Sequence, residues 1–293
     1  MRKKIIYVLL ALVIATTSLT GCKKKEAEVI DNQPEQTVET TVSGNNETET
    51  EKSDFSVENK YVKVADYENI EVKPYEKEIT DSDIESYINF ALSAYYSKID
   101  MNGYIPYYND LTDKMVSEIT DGEYTTIEEY KVYVKDMLEK QAFSDYEEQT
   151  KDELFNNVIE NSELITYEDE VYERYHDYVV KNYNEYAQYF ADGDIEAFYT
   201  ESLGLKSEEE YNDFLKQEAL KNIKIEYVIH TIAEKENITV SDEEVENEIQ
   251  NYLNNGYFAT EEDLFEYMTL DEIRTNIQYY KIRDFIYNNA INK

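Results

Sequence analysis

The sequence is poor in the residues from which most catalytic, redox and metal sites are built. Its 293 residues include one cysteine, two histidines, three prolines and no tryptophan. A single cysteine cannot form a disulfide within the chain. The motifs H-E-x-x-H and G-x-S-x-G and a glycine-rich phosphate loop, which mark common hydrolases and nucleotide-binding proteins, do not occur in the sequence. The composition therefore favours a binding or structural protein over an enzyme, and we predict no catalytic residue, no metal site and no cofactor.

The two histidines are weak candidates for a catalytic or zinc site, and two acidic loops are weak candidates for a calcium site. His176 and His230 each lie in a helical pattern beside apolar residues, which is typical of structural or surface histidines rather than of a general base or a zinc ligand. Residues 100–103 and 192–196 form short acidic loops, but neither has the complete spacing of a calcium-binding loop. We therefore interpret both loops as turns.

The net charge of the chain limits the classes of molecule that it can bind. The sequence carries 65 acidic and 28 basic residues, which gives a net charge of −37. Such a surface repels the phosphates of nucleic acids and of anionic lipid headgroups. Because the acids are spread over many segments, they favour a solvated helical surface over a dedicated cation site. We expect no nucleic-acid partner.

The first residues have the pattern of an export signal. Basic residues at positions 2–4 precede an apolar run at residues 5–15, and Leu19-Thr20-Gly21-Cys22 follows. Those four residues match the lipobox of bacterial lipoproteins, in which the cysteine is lipidated and becomes the first residue. We therefore predict a lipoprotein signal peptide at residues 1–21, lipidation of Cys22, and a lipid anchor in the cell membrane on its extracytoplasmic side. The alternative is a signal peptide that is cleaved elsewhere.

The rest of the chain divides by composition. Residues 22–57 are rich in Glu, Thr, Asn and Ser and have few apolar side chains to bury, so we predict a disordered acidic tether. The folded part is then residues 58–293, which we divide into an arm at 58–110 and a helical body at 111–293. Apolar residues alternate only near residues 60–73, which predicts one short β or extended segment.

The folded part has the signals of helices. Proline is absent after Pro106, and the later glycines fall between periodic apolar segments. Six segments begin with a hydroxyl residue that is followed three positions later by an acid, a spacing in which each side chain caps the other's backbone amide. These pairs are Thr80/Asp83, Thr126/Glu129, Ser207/Glu210, Ser241/Glu244, Thr260/Asp263 and Thr269/Glu272.

Residues 166–190 carry an aromatic stripe at helical spacing, and a second aromatic group lies at residues 252–258. Stripes of this kind most often form a hydrophobic core. Tyrosine also suits a binding surface, because its ring is apolar and its hydroxyl is polar. The sequence leaves both interpretations open. The candidates for a binding surface are Tyr172, Tyr175, Tyr183, Tyr186, Phe190, Tyr252, Tyr257 and Phe258.

Residues 217–253 predict two helices that meet at a corner. A long helical pattern breaks at residues 236–240, and a second helix begins after Ser241. On either side of the break, residues 232–234 (IAE) and 238–245 (ITVSDEEV) resemble the C-terminal, substrate-cradling region of bacterial trigger factor chaperones. The likeness extends to the segments at 66–74, 111–113 and 160–162.

This resemblance implies a mainly α fold, an extended multi-helix chaperone-type body with arms that holds unfolded polypeptide on partly apolar inner surfaces. The ribosome-docking and prolyl isomerase domains of the family have no counterpart in the sequence, so neither ribosome binding nor isomerase activity is implied. We expect a membrane-anchored, extracytoplasmic holdase for non-native segments of exported proteins, with the eight aromatic candidates as its client surface. The alternatives are a structural or adhesive surface lipoprotein that binds one native partner, and a prolyl isomerase-associated foldase.

Overall fold

The computed structural model describes residues 55–99 and 104–292, except for the side chain of residue 292. Most of these residues are helical, so the predicted mainly α fold is confirmed. The predicted signal peptide, Cys22, nearly all of the predicted tether and the acidic loop at 100–103 lie outside the described residues. No helix in the described part of the chain has the length and apolar character needed to cross a membrane.

The elements follow one another along the chain in two compact units, and each unit is built from separate stretches of sequence. In the described ranges the helices are α1 (Asp81–Ile99), α2 (Asp113–Ile119), α3 (Ile127–Asn161), α4 (Asp169–Phe190), α5 (Ile195–Ala197), α6 (Glu208–Glu236), α7 (Asp242–Asn254), α8 (Glu261–Phe265) and α9 (Leu270–Asn288). The strands are β1 (Phe55–Glu58), β2 (Val62–Ala65), β3 (Glu71–Val72), β4 (Glu163–Leu164) and β5 (Ile291–Asn292). Unit 1 contains residues 55–66 and 159–280, and unit 2 contains the described residues of 67–158 together with 281–292.

Side-chain caps begin the helices as the hydroxyl–acid spacing predicts. At the start of α7 the Glu244 amide donates to Ser241 Oγ at 3.2 Å, and the Ser241 amide donates to Glu244 Oε2 at 2.8 Å. A cap of this kind stabilises a helix by about 1 kcal/mol. In two of the predicted pairs the hydroxyl caps the helix but the carboxylate accepts from the amide one residue earlier: Glu129 from Thr125 at 3.2 Å and Glu210 from Lys206 at 2.7 Å.

The core of unit 1 lies between α4 and α6, and the small three-stranded sheet packs on α6. The strand order is β1-β2-β4, all antiparallel, and β2 packs against α6. Val62 and Val64 of β2 and Val228, Ile229 and Ile232 of α6 are all fully buried. The alternation of β2 and the apolar stripe of α6 thus meet in one core.

The corner between α6 and α7 has a defined geometry. The residue that follows α6, Asn237, has a left-handed backbone with φ of 55°, which ends the helix and turns the chain. The Ile238 amide then donates to the Ala233 carbonyl at 2.9 Å. The break predicted at residues 236–240 is therefore confirmed.

Beyond the corner, α7, α8 and the start of α9 enclose a hydrophobic cluster of their own. Its buried members are Val245, Ile249, Tyr252, Phe258, Leu264, Met268 and Ile273. Residues 241–272, which build most of this cluster, carry eleven acidic and no basic side chains. The acids of α7 lie on its solvent side, because the apolar residues recur at i, i+4 and i+7.

The core of unit 2 joins α1 and α2 to the first half of α3. Ile88 and Leu92 of α1, Val116 of α2 and Val134 of α3 are fully buried there. The amphipathic spacing of α1 places its apolar residues on one face, which is the face that packs.

A buried arginine ties α3 to the end of α9 within unit 2. Arg283 is 5% exposed, and its guanidinium donates to Glu148 Oε2 at 3.1 Å and lies 2.9 Å from Asp152 Oδ1. The Lys151 ammonium donates to Glu148 Oε1 at 2.9 Å and also pairs with Asp284. The hydrogen bond from Lys151 and the charge of Arg283 lower the pKa of Glu148 below its usual value.

The structure differs from the sequence predictions at three places. Residues 55–57, predicted as part of the tether, belong to β1, because β1 pairs with β2. The helix predicted at residues 166–190 begins only at Asp169, as α4, because the Thr166 amide donates to the carbonyl of Tyr61. The predicted arm at 58–110 is divided, with residues 58–66 in unit 1 and the remainder in unit 2.

Candidate functional site

The inner half of the predicted aromatic stripe lies in the core of unit 1. Tyr175 and Tyr183 are 9% and 8% exposed, on the face of α4 that packs against α6. The Tyr183 ring meets the Phe214 ring of α6 at a right angle, with centroids 5.1 Å apart, and lies 6.4 Å from the Phe198 ring. These contacts are those of core aromatic residues. The two tyrosines therefore present little surface to a partner in this conformation.

The outer half of the stripe reaches the surface. Tyr172 and Tyr186 are half-buried, and Tyr172 stacks on Tyr167 with centroids 5.6 Å apart. At the end of α4, Phe190 and its neighbour Tyr189 are each 61% exposed, with their rings edge to face at 4.8 Å. An exposed aromatic pair of this kind is available for contact.

The predicted group across the corner divides in the same way. Tyr252 and Phe258 are each 7% exposed and belong to the cluster of α7 and α8, whereas Tyr257 is 42% exposed. The Tyr252 hydroxyl accepts from Asn276 Nδ2 at 2.8 Å. Burial raises the pKa of Tyr252 well above its usual value. The neutral phenol is therefore a structural hydrogen-bonding group of the cluster.

Sequence reasoning missed three exposed apolar side chains where α8 ends, in the linker that follows it, and where α9 begins. Phe265, Tyr267 and Leu270 are 43%, 62% and 50% exposed. The Lys181 ammonium of α4 lies 4.8 Å from the centroid of the Tyr267 ring, so this segment approaches α4. The signal was present in the close spacing of the helix starts at Thr260 and Thr269, which leaves α8 too short for periodicity to assign a buried face.

A polar cleft lies within unit 1, between α4, α6, the linker that follows α6, and α9. Its volume is about 630 Å³, a size typical of ligand sites. The walls differ in character. Ala233, Ile238 and Val240 supply apolar contact, and most of the other lining side chains are polar or charged; these include Arg174, Tyr175, Glu226, His230, Glu234, Asp271, Glu272, Arg274 and Thr275.

Three side chains on one wall of the cleft form a hydrogen-bonded group. The Arg174 guanidinium donates to Glu226 Oε2 at 2.7 Å, and the Tyr175 hydroxyl donates to the same oxygen. Burial and the charge of Glu226 raise the pKa of Tyr175 well above its usual value, so the phenol stays protonated. Glu226 is thereby held in place by two donors from α4.

The opposite wall is held by α9. Arg274 donates to the carbonyl of Val240 at 3.1 Å and also pairs with Asp242, and Gln278 Nε2 lies 3.4 Å from the carbonyl of Ile238. These bonds occupy linker carbonyls that have no helical partner. They fix the linker against α9 and so define one side of the cleft.

His230 connects the two walls of the cleft. Its Nε2 lies 3.2 Å from Thr275 Oγ1 of α9. Although part of the residue is exposed, the surrounding helices desolvate the imidazole and lower its pKa below its usual value, which favours the neutral ring at pH 7. In the described residues no group of three metal-ligating side chains occurs, and the partner of His230 is a threonine hydroxyl. The cleft therefore offers hydrogen bonds and apolar contact to a ligand.

Comparison with known proteins places these features in a family. The chain matches the family described as bacterial trigger factor protein (TF) C-terminus over residues 126–288. It is similar to the trigger factor of Staphylococcus epidermidis, with 24% identity over 182 residues that cover 62% of this chain and 41% of the relative. It is also similar to the trigger factor of Caldicellulosiruptor saccharolyticus, with 29% identity over 187 residues that cover 62% of this chain and 40% of the relative.

A solved structure of the trigger factor chaperone, described for promiscuous substrate recognition in folding and assembly, is also similar. It is 20% identical with a TM-score of 0.41, and the match covers 60% of this chain and 42% of that chain. The chain thus spans about two-fifths of the length of the curated relatives it matches, 41% and 40% in the two examples.

Proposed function

The chain belongs to the trigger factor C-terminal family, and from that membership we propose that it is a chaperone-like holdase. It binds non-native segments of exported proteins by contact alone. It is anchored to the cell membrane on the extracytoplasmic side through a lipid on Cys22.

The observation that carries this proposal is the set of exposed aromatic side chains on unit 1. Their exposed fractions lie between 42% and 62%, and we call them the exposed aromatic set: Tyr189, Phe190, Tyr257, Phe265, Tyr267 and Tyr280. Aromatic side chains bury a large apolar area on contact without demanding one partner sequence. The net charge of −37 opposes self-association of a protein with such a surface.

The aromatic residues predicted from sequence take two parts in this proposal. Phe190 and Tyr257 belong to the exposed aromatic set, and Tyr172 and Tyr186 lie half-buried. Four of the predicted candidates are buried and pack in the cores of unit 1, so their role is structural: Tyr175, Tyr183, Tyr252 and Phe258. Among the residues predicted from sequence, the exposed and half-buried ones are therefore those that contact a client.

The anchor rests on the signal and lipobox pattern at residues 2–22. It is tested by growing cells that express the chain with radiolabelled palmitate and comparing it with the Cys22→Ala variant. We expect label and membrane fractionation for the chain and neither for the variant. Equal label in both would refute lipidation at Cys22.

The holdase activity is tested by light scattering with a protein that aggregates after chemical unfolding. Residues 23–293 are used, because this range keeps every described residue, β1 included. The unfolded protein should itself be acidic, so that electrostatic attraction to this strongly acidic chain does not imitate capture. We expect stoichiometric amounts to suppress scattering, with no binding to the same protein in its native state.

Matched variants assign the capture to the exposed aromatic set. Phe190→Ser combined with Tyr267→Ser should raise the amount needed for half-suppression about fivefold, the effect of losing roughly 1 kcal/mol of contact. Phe90→Ser is the control, because Phe90 of unit 2 is 70% exposed and lies outside the set. Unchanged scattering with the folded chain would refute the holdase and favour a surface lipoprotein with one native partner.

A further inference from the structure

One wall of the cleft holds hydrogen-bonding capacity that the protein uses only in part. Both hydrogen bonds to Glu226 end on Oε2, and Oε1 has no donor among the described residues. Arg174 uses Nη2 for this pair, and its other guanidinium nitrogens have no acceptor within the described part of the chain. The Glu226 side chain is 14% exposed, and both residues line the cleft. A fixed acceptor and a fixed donor thus stand side by side at a ligand-sized space.

We propose that this cleft binds an extended polypeptide segment through its main chain. A peptide N–H donates to Glu226 Oε1, and a neighbouring peptide C=O accepts from the Arg174 guanidinium. The inference rests on the proposed function, since it states how part of a client is held. It adds recognition of the backbone to contact with aromatic rings, and it explains binding without a sequence requirement.

The cleft is lined by side chains of both charges. Four are acidic (Glu226, Glu234, Asp271 and Glu272) and two are basic (Arg174 and Arg274), so the lining repels an anionic group and offers both acceptors and donors of hydrogen bonds. A peptide group carries a donor and an acceptor without net charge, so both kinds of lining residue accept it. The main chain is also the one chemical feature that all unfolded proteins share.

The remaining wall fits the side chains of such a segment. Ala233, Ile238 and Val240 form the apolar side of the cleft and can cover small apolar side chains of any identity. The linker that carries the last two residues is fixed by Arg274 and Gln278 of α9. The binding surface therefore exists before a ligand arrives, which lowers the entropic cost of binding.

The test compares two ligands on the unaltered chain, residues 23–293. One is a short fluorescein-labelled peptide of Ala, Val, Ser and Thr, which has no charged side chain. The other is the same peptide with alternate amide nitrogens methylated, which removes N–H donors. By fluorescence anisotropy the first should bind about tenfold more tightly, the effect of one hydrogen bond to a charged group. Equal affinities would overturn the proposal.

A variant then assigns the effect to the cleft. Glu226→Gln keeps an oxygen for the Tyr175 hydroxyl but replaces the open carboxylate oxygen with an NH₂ group, which cannot accept. It should weaken the unmethylated peptide about tenfold and leave the methylated peptide nearly unchanged. Glu243→Gln, on the exposed face of α7, removes the same charge and should change neither affinity. Equal weakening of both peptides would indicate a structural role for Glu226 and refute the proposal.

The peptide-binding experiment can fail or succeed independently of the light-scattering experiment that tests the proposed function. Suppressed scattering together with equal affinities for the two peptides would leave the holdase in place and remove main-chain recognition. Unchanged scattering together with a preference for the unmethylated peptide would remove the holdase and leave a peptide-binding cleft.

Discussion

Substitution of Tyr183 by serine decides whether the inner stripe of α4 is core or binding surface. The ring of Tyr183 is 92% buried and packs edge to face on Phe214 of α6. Phe190, on the same helix, is 61% exposed and serves as the matched position. If burial governs the role of each residue, Tyr183→Ser acts on stability and Phe190→Ser acts on client capture.

The expected loss at Tyr183 follows from its buried area. An aromatic side chain removes about 150–250 Å² from water when buried, which is worth about 4–6 kcal/mol at roughly 25 cal/mol per Å². Measured truncations of buried aromatic residues cost about 3–5 kcal/mol. We therefore expect Tyr183→Ser to lower the free energy of unfolding by about 4 kcal/mol, and Phe190→Ser to change it by less than about 0.5 kcal/mol.

Urea unfolding followed by far-ultraviolet circular dichroism measures both effects. The mainly helical chain gives a strong signal at 222 nm, a wavelength at which helix loss is read directly, and the absence of tryptophan does not matter for this probe. Because the chain has two units, the signal is fitted for each transition that is resolved. A variant Tyr183→Ser that unfolds at the same urea concentration as the unaltered chain, but has lost client capture, would refute the assignment of this ring to the core.

Three further predictions concern other contacts. Arg283→Met should lower the free energy of unfolding by about 2–3 kcal/mol, because its pairing with half-exposed carboxylates is lost. The pKa of Glu148 is lowered first by the hydrogen bond from Lys151 and also by the charge of Arg283, so the part that Arg283 contributes is present above the ordinary glutamate pKa and is lost as pH falls through the folded value. The urea midpoints of the variant and the unaltered chain should therefore approach each other as pH falls below the ordinary glutamate pKa. Tyr211→Phe should be neutral or stabilising by up to about 1 kcal/mol, because the buried Tyr211 hydroxyl has no hydrogen-bond partner in the described residues; a loss above 1 kcal/mol in urea would contradict this. Ser241→Ala should cost about 1 kcal/mol by removing the cap of α7, whereas the control Ser144→Ala, on the exposed face of α3, should cost nothing.

The helices could be predicted from sequence because their signals are local. The hydroxyl and the acid at the start of α7 lie three residues apart, and their reciprocal hydrogen bonds form as that spacing requires. The same holds for the break after α6, where Asn237 adopts the left-handed backbone that ends the helix. Such features depend on neighbouring residues, which a sequence shows directly.

The division of the aromatic stripe could not be predicted, because it depends on what packs against it. Tyr183 and Phe190 have the same periodicity on α4, yet α6 covers only the first. Periodicity identifies a face of a helix but not where along the helix its partner ends. Phe265, Tyr267 and Leu270, which are exposed where α8 ends and α9 begins, were missed for a related reason, since α8 is only five residues long.

The strands and the cleft depend on contacts between distant parts of the chain. β1 forms because residues 55–58 pair with β2, and β2 in turn pairs with β4 about 100 residues later. The cleft joins Arg174 of α4 to Glu226 of α6 and sets them against α9. In the sequence these residues stand among many other acids and bases, so no pattern singles them out.

The pairing of β3 with β5 has a consequence for how the chain is made. It joins residues 71–72 to residues 291–292, so unit 2 is complete only when the last turn of α9 and the strand after it are present. Closing a loop of that length costs on the order of 5 kcal/mol of chain entropy. Unit 1 likewise needs residues up to 280. Unit 1 can therefore complete its contacts only after residue 280 has emerged, and unit 2 only after residue 292, so the segments made first in each unit wait for partners that follow far along the chain.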